Sequence, residues 1–313
     1  MSLINKRIVV TGGAGFLGSH IVDKLIKRGC KHVFIPRSSS FDLRRTEDVF
    51  DMYAAYRADI IIHAAAASGG IGWNRKNPAK ALYENLIMGL NLLEEGRNWD
   101  LEKFIQIGSV CAYPLNVSIP TPEEELWSGY PEPTNGPYGL SKRVLSTACQ
   151  AYREQYGMNA ICLMPVNLYG PGDDFNPESS HVIAAMIQKF VEAKQKNLPE
   201  VSLWGTGEAS REFLYIEDCA GAIILATEKY NGAESINVGS GKEIAIKNLA
   251  LLIAKEANFE GNLVWDRSMP NGQPRRLFDS SRAKKEFGFT AKTNFEDGIK
   301  RTVCWYKESK CEL

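Results

Sequence analysis

Tyr138 and Lys142 stand four positions apart near the start of a helix-like stretch, Tyr138–Tyr156. That spacing places a phenol and an ammonium on one helix face. A phenol with the ordinary pKa of about 10 is a poor acid at neutral pH, and a neighbouring ammonium stabilises its phenolate and lowers that pKa. Such a pair can give a proton to a carbonyl oxygen or take one from an alcohol. The spacing also arises on plain helix surfaces. Its meaning therefore depends on whether the chain brings a redox partner and a substrate to it.

The elements that would position the pair begin with Arg7–Thr11 (RIVVT), a short β-branched run of the kind that forms a buried parallel strand. Gly12-Gly13-Ala14-Gly15-Phe16-Leu17-Gly18 follows and leads into helical periodicity over Ser19–Arg28. In this strand–turn–helix setting Gly12 permits a tight turn, Gly15 lets the backbone approach a pyrophosphate, and Gly18 lets helix and sheet pack closely. The expectation is a dinucleotide site that includes Phe16 and Leu17 at the helix start. The second strand, His32–Pro36, ends at Arg37 and three serines, with no acid to bond a ribose 2′-OH. Arg37 is suited to a 2′-phosphate, which favours NADP over NAD.

Asp59–Ala65 reads as the third strand. Its Ala64–Ala67 run, Ala65 included, offers small residues where a cofactor passes, and His63 reads as a core histidine. Pro78–Gly96 is a helix from which Asn85 is expected to brace the backbone near the site. Lys103–Ser109 is the fourth strand. Residues 115–137 read as a loop over the site, and Asn159–Asn167 is the fifth strand, carrying Pro165 and followed by Leu168. Strands and helices alternate, which predicts an α/β fold: a doubly wound parallel Rossmann sheet with ligands beyond the C-terminal strand ends. Ser109, Asn167 and the glycine turn all fall there. The remainder is less regular and is expected to form a smaller, partly discontinuous C-terminal substrate domain. The expected division is 1–167 with about 212–238 for the dinucleotide, and 168–211 with 239–313 for the substrate.

Composition narrows the partners. The 313 residues carry 37 Lys and Arg against 37 Asp and Glu, so no excess basicity points to nucleic acid or an anionic membrane surface. The seven Cys are scattered without paired metal-type spacing, which argues against a metal site and for a reducing, cytoplasmic compartment. No apolar run approaches the roughly 20 residues that span a bilayer.

With the glycine turn, Ser109 and Tyr138/Lys142 together, the chain resembles the extended short-chain dehydrogenases/reductases. The resemblance implies that Ser109 and Tyr138 bond the substrate oxygen, and that Lys142 bonds the nicotinamide ribose. Several segments look more narrowly like the GDP-L-fucose synthases: Ser109-Val110-Cys111-Ala112-Tyr113-Pro114, Glu132–Tyr138, Met164–Pro171, Phe175–Ile183, Trp204–Gly207 with Arg211–Leu214, Asn237–Gly241 and Pro270–Arg276. That likeness implies NADPH-dependent 3,5-epimerisation and 4-reduction of a GDP-4-keto-6-deoxy sugar by a homodimer. Cys111 and His181 occupy the places of its proton-exchanging residues. The C3 and C5 protons adjoin the C4 ketone, so their removal leaves an enolate, and a Cys and a His titrate close enough to neutrality to move them.

The cofactor-binding set is then Gly12, Gly15, Phe16, Leu17, Gly18, Arg37, Ala65, Tyr138, Lys142, Pro165, Asn167, Leu168 and His181. Arg211 and Arg276 suit the diphosphate, Trp204 the base or sugar, and Lys189 stands where the family tends to have Arg. Two departures bear on this. The glycine turn reads Gly13-Ala14-Gly15-Phe16, where the family often has polar or basic residues. The loop before Gly69-Gly70-Ile71 reads Ala66-Ala67-Ser68, where the family commonly has Lys-Val. The alternatives are a reductase alone, acting on a related GDP-4-keto-6-deoxyheptose, and a non-catalytic NADP-binding regulator.

Overall fold

A computed structural model describes residues 1–177, 179–269 and 272–311. Glu178, Pro270 and Asn271, which belong to segments singled out above, lie outside the described residues. In chain order the strands are β1 (Arg7–Thr11), β2 (His32–Phe34), β3 (Ile60–His63), β4 (Lys103–Ile107), β5 (Ala160–Pro165), β6 (Asn167–Tyr169), β7 (Glu200–Trp204), β8 (Ser210–Tyr215), β9 (Ile236–Val238), β10 (Glu243–Ala245), β11 (Asn262–Asp266) and β12 (Arg275–Arg276). The helices are α1 (Phe16–Lys27), α2 (Thr46–Tyr56), α3 (Ile71–Lys76), α4 (Pro78–Asn98), α5 (Gly136–Tyr156), α6 (Val182–Gln195), α7 (Ile216–Lys229), α8 (Ile246–Ala257), α9 (Ser281–Phe287) and α10 (Phe295–Cys311).

The main sheet is parallel in the order β2-β1-β3-β4-β5-β9. Its strands are apolar on both faces, and successive residues serve opposite layers. Ile8, Val10, Ile60, Ile62 and Ile105 join a core with Ile21 and Leu25 of α1 and Ile223 of α7. Val9, Ile61 and Phe104 join another core with Met52 and Tyr53 of α2 and Leu92 of α4. This two-sided burial is why the strands read as continuous apolar runs. The strand order reverses between β1 and β3, the crevice where such sheets bind ligands.

At Val166 the chain leaves the main sheet. The expected fifth strand ends at Pro165, and Asn167 opens β6, which pairs with β8 in a second sheet (β10-β8-β12, with β6 also on β8). Asn167 therefore lies just past the sheet rather than in it. The residues following β5 are held by β8 across a gap of some forty positions, a pairing that local periodicity does not reveal. Parallel β7 and β11 form a third, two-stranded sheet, and a separate core lies under α6, α8 and α10.

The 115–137 stretch is less of a cover than expected. It holds a 3-10 turn at Glu123–Trp127, and Thr121, Glu123 and Leu126 are buried. Asn237 of β9 donates its backbone N–H to Glu123 (3.0 Å) and its side-chain amide to the Thr121 carbonyl (3.2 Å). The stretch is sewn into the core beside β9, because its Pro- and Glu-rich composition conceals apolar anchors. No described helix is long and apolar enough to cross a membrane.

Candidate active site

The glycine turn lies at the β1–β3 crevice. Gly12 has φ +69°, and a Cβ there would meet the Ala65 N at 2.7 Å, so the end of β3 rests directly on the turn. Gly18 faces the same turn, where a Cβ would stand 2.6 Å from the Gly12 carbonyl carbon. Helix α1 starts after Gly15 with no side-chain cap. The N–H groups of Phe16, Leu17 and Gly18 are thus left for an anion. A Cβ on Gly13 would press on Ile35, just ahead of Arg37. Arg37 is exposed, and among the described residues its side chain makes no hydrogen bond or ion pair. Thr11 and His63 close the floor of the crevice with a buried side-chain bond of 2.7 Å. Burial takes the His63 imidazole down to about 3, with Lys142 adding to the effect, so it stays neutral as a core histidine.

Ser109 follows β4 and caps a 3-10 turn over Val110–Ala112, its hydroxyl accepting from the Cys111 N–H at 3.2 Å. A proline near the start of α5 presets its first turn. Gly139 of this helix faces the Cys111 carbonyl too closely for any side chain, so α5 lies hard against the cysteine turn. The result is that the Tyr138 hydroxyl lies close enough to Ser109 and Cys111 for both to act on its pKa.

The electrostatics depart from the sequence expectation. The Lys142 Nζ donates to the Ile107 carbonyl at 3.1 Å and lies 5.7 Å from the centre of the Tyr138 ring, so it does not lower the phenol pKa. Burial, seconded by Cys111, pushes the phenol above its ordinary value, with Ser109 opposing. Tyr138 is therefore held protonated, which suits a donor to a carbonyl oxygen. Burial also takes the Lys142 ammonium down to about 8, with Cys162 opposing.

His181 caps α6 at the far end of the loop that follows β6. It is solvent-accessible yet crowded by protein, and this desolvation lowers its imidazole pKa against the pull of Asp174. Its stem is tied to the rest of the site by contacts that no local pattern signals. Gly70 donates its N–H to the Ser179 carbonyl at 2.7 Å, and a Cβ on Gly70 would stand 2.6 Å from the Ser180 carbonyl. Asn74 of α3 donates to the Asn135 side chain at 2.8 Å, just before α5. Asn85 of α4 holds both backbone groups of Ala67, accepting from its N–H (3.1 Å) and donating to its carbonyl (2.9 Å). The 64–76 segment thus connects the glycine turn, the Tyr138 helix and the His181 stem, and Asn85 braces it.

Arg211 and Arg276 are register neighbours on β8 and β12. Burial takes the Arg211 guanidinium down to about 10, with Arg276 adding repulsion. Two adjoining cations that, among the described residues, form no ion pair with a carboxylate suit an anionic ligand. Glu212, between them in sequence, faces the other way and accepts the N–H groups of Phe278 (2.8 Å) and Gly241 (2.7 Å), which locks this corner together. Asn167 donates to the Glu212 carbonyl at 3.1 Å. Lys189 donates to the Ser202 carbonyl at 3.0 Å, on the exposed face of β7 that also carries Trp204, which is 61% exposed. Among the described residues no hydrogen bond joins Lys189 or Trp204 to the Ser109–Tyr138 cluster. Glu212, Asn74, Asn135 and Arg143 were not legible as site-forming residues, because each acts on a partner far away in sequence.

Comparison with known proteins agrees with this geometry. Residues 8–239 match the NAD dependent epimerase/dehydratase family. The chain is 42% identical over 304 residues to the "Probable GDP-L-fucose synthase 1" of Oryza sativa subsp. japonica, covering 97% of this chain and 92% of that one. Among solved structures it is similar to a GDP-6-OMe-4-keto-L-xylo-heptose reductase from C. jejuni (TM-score 0.92, 28% identity, 99% of both chains). It is likewise similar to a GDP-L-fucose synthetase from Naegleria fowleri bound to NADP (TM-score 0.88, 27% identity, 99% of this chain and 96% of that one).

Proposed function

The chain belongs to the NAD dependent epimerase/dehydratase family, with GDP-L-fucose synthases among its relatives, and from that premise we propose that it epimerises C3 and C5 of GDP-4-keto-6-deoxymannose and reduces C4. It is an NADP-dependent enzyme of GDP-4-keto-6-deoxy sugars. The roles of its residues and the identity of the hexose are our reading.

The residues present fit the cofactor. The glycine cradle has no room for side chains, the start of α1 has no side-chain cap, and Arg37 is exposed and makes no ion pair among the described residues. Gly12, Gly15, Phe16, Leu17 and Gly18 would hold the pyrophosphate and Arg37 the 2′-phosphate. Lys142 would hold the nicotinamide ribose, with Ala65, Pro165, Asn167, Leu168 and His181 along the ring end. NADPH, when bound, supplies the hydride for C4.

The protein's own part is proton handling. Ser109 and Tyr138 present two hydroxyls to the C4 oxygen and stabilise negative charge there when a proton leaves C3 or C5. Cys111 and His181 take and return those protons from opposite sides of the ring. Tyr138, kept protonated by burial, then gives its proton to the C4 oxygen during reduction. Arg211 and Arg276 hold the diphosphate, and Lys189 and Trp204 the nucleoside end. In this reading 1–167 with about 212–238 carries the cofactor and 168–211 with 239–313 the sugar nucleotide. The enzyme works in the cytoplasm, a place supported by cysteines that are free where described, and as a homodimer, a state supported by family likeness alone.

The observation that carries the reading is the packing of the Tyr138 helix, at Gly139, directly on the turn that holds Ser109 and Cys111. Incubation with GDP-4-keto-6-deoxymannose and NADPH in D2O tests it, with the product read by NMR. Deuterium at C3 and C5 and a reduced C4 are expected, and the label should be lost in Cys111→Ser. Reduction without label would favour the second reading, a reductase of a GDP-4-keto-6-deoxyheptose, which the likeness to the C. jejuni heptose reductase keeps in view.

A further inference from the structure

Cys111 sits in one turn of 3-10 helix, three residues long, and so short an element does not hold its own geometry. Two arginines from different parts of the chain hold the carbonyls on either side of it. Arg143, one residue past Lys142 on α5, donates its Nε to the Ala112 carbonyl at 3.1 Å and its Nη1 to the Gly129 carbonyl at 2.9 Å. Arg276, on β12, donates its Nη1 to the Val110 carbonyl at 2.8 Å and its Nε to the Gln273 side chain. The residue before the cysteine and the residue after it are thus each pinned by a guanidinium. Arg143 is buried and acts within the floor of the site. Arg276 differs, because its neighbour in register is Arg211.

We propose that Arg276 is a positioning residue for Cys111, which ties the anion-binding end of the site to the turn that aims the thiol. Arg143 is the fixed half of the same clamp. The proposal rests on the functional reading above and adds to it a route by which the nucleotide diphosphate, bound between Arg211 and Arg276, sets the geometry for proton exchange. A guanidinium presents five donors in a rigid fork, so one face can hold Val110 and Gln273 while another meets a phosphate oxygen. The environment of Arg276 agrees: burial lowers its pKa, and Cys111 and Glu132 oppose that, so the cysteine lies within its electrostatic reach.

The test uses the full chain as wild type, Arg276→Met, Arg276→Lys and Arg143→Met. Two rates are compared at saturating substrate. One is deuterium exchange into the 4-keto sugar nucleotide without NADPH, which needs Cys111. The other is NADP⁺-dependent oxidation of the GDP-6-deoxy sugar product, which sends the C4 hydride to NADP⁺ and the hydroxyl proton out through Tyr138 and does not need Cys111. The ratio of exchange to oxidation is expected to fall at least tenfold in Arg276→Met and in Arg143→Met. Arg276→Lys, which keeps a donor of similar reach, should recover most of it. Independently, iodoacetamide labelling of Cys111, followed by peptide mass spectrometry, should change in rate when GDP is added to wild type. It should not respond to GDP in Arg276→Met. An unchanged ratio in Arg276→Met, or labelling that responds to GDP equally in wild type and Arg276→Met or in neither, would overturn the proposal. A wild type with neither exchange nor oxidation would instead overturn the functional reading and leave the labelling response to decide the clamp.

Discussion

Asn85→Ala is the most direct probe of how the scaffold holds the site. The Asn85 side chain is buried and makes three bonds: from the Ala67 N–H at 3.1 Å, to the Ala67 carbonyl at 2.9 Å and to the Ala81 carbonyl at 2.6 Å. The Ala81 carbonyl already lies within α4 and loses little. The Ala67 N–H and C=O lose their partners outright. Ala67 is half-buried, so water replaces part of what is lost, and each bond contributes about 1 kcal/mol net. With the space left by the amide, the cost comes to about 2–3 kcal/mol. For a chain of this length that is a fall in Tm of about 3–5 °C. The functional effect should exceed the stability effect, because the freed segment joins Ala65 on the glycine turn to Gly70 on the His181 stem. A shift of a few tenths of an ångström there should lower kcat/KM by about tenfold or more. Asn85→Asp should do no better, since it keeps the acceptor for the N–H but sets a carboxylate against two carbonyls. Asn91→Ala is the control: it loses one bond, to the Leu43 carbonyl at 3.0 Å, and should cost about 1 kcal/mol. Differential scanning calorimetry and steady-state kinetics read both effects. If Asn85→Ala melts within 1 °C of wild type and turns over within twofold (about the scatter expected of a neutral surface change), the bracing argument fails.

Three further perturbations follow from the same geometry. Lys142 has its ammonium pKa pulled down to about 8 by burial, so it loses its charge at lower pH than a free lysine. Binding and turnover that need the cation should be intact below about pH 8 and decline above it. Arg stays protonated there, so the residual activity of Lys142→Arg should show no such alkaline limb; a limb at the same pH in that variant would assign it to another group. Gly18→Ala drives a methyl into the Gly12 peptide, with the carbonyl carbon 2.6 Å away, and should weaken NADPH binding by about tenfold through a displaced turn. An NADPH dissociation constant equal to that of wild type, measured by fluorescence titration, would refute it. Lys103 is fully buried in β4, and its Nζ caps the end of α7 through the carbonyls of Ala226 (3.2 Å), Thr227 (2.7 Å) and Tyr230, and the Asn231 side chain (3.1 Å). Lys103→Met should destabilise the protein by about 3 kcal/mol or more, seen as a lower urea midpoint, because those acceptors are left buried and unpaired. An unchanged midpoint would show that the cap does not contribute.

What the sequence determined by itself was what neighbouring residues settle among themselves. The alternation of apolar runs and helical periods fixes a parallel, doubly wound sheet, since strands buried on both faces must be apolar throughout. The glycine turn, the Tyr138–Lys142 helix face and the place of Ser109 and Cys111 after a strand are local patterns with local causes. Only the tertiary structure decided the rest. Val166 leaves the sheet because β8, distant in sequence, captures Asn167. Tyr138 is protonated rather than activated by Lys142, because burial outweighs a cation that points at the Ile107 carbonyl. The cysteine turn is clamped by Arg143 and by Arg276, the latter 166 positions away from the carbonyl it holds. The stem that leads to His181 is tied to the 64–76 segment through Gly70 and Ser179. Each of these rests on desolvation or on a backbone carbonyl meeting a distant donor. Neither leaves a periodic trace in the sequence, because any residue supplies the same carbonyl and burial is a property of the assembled layers.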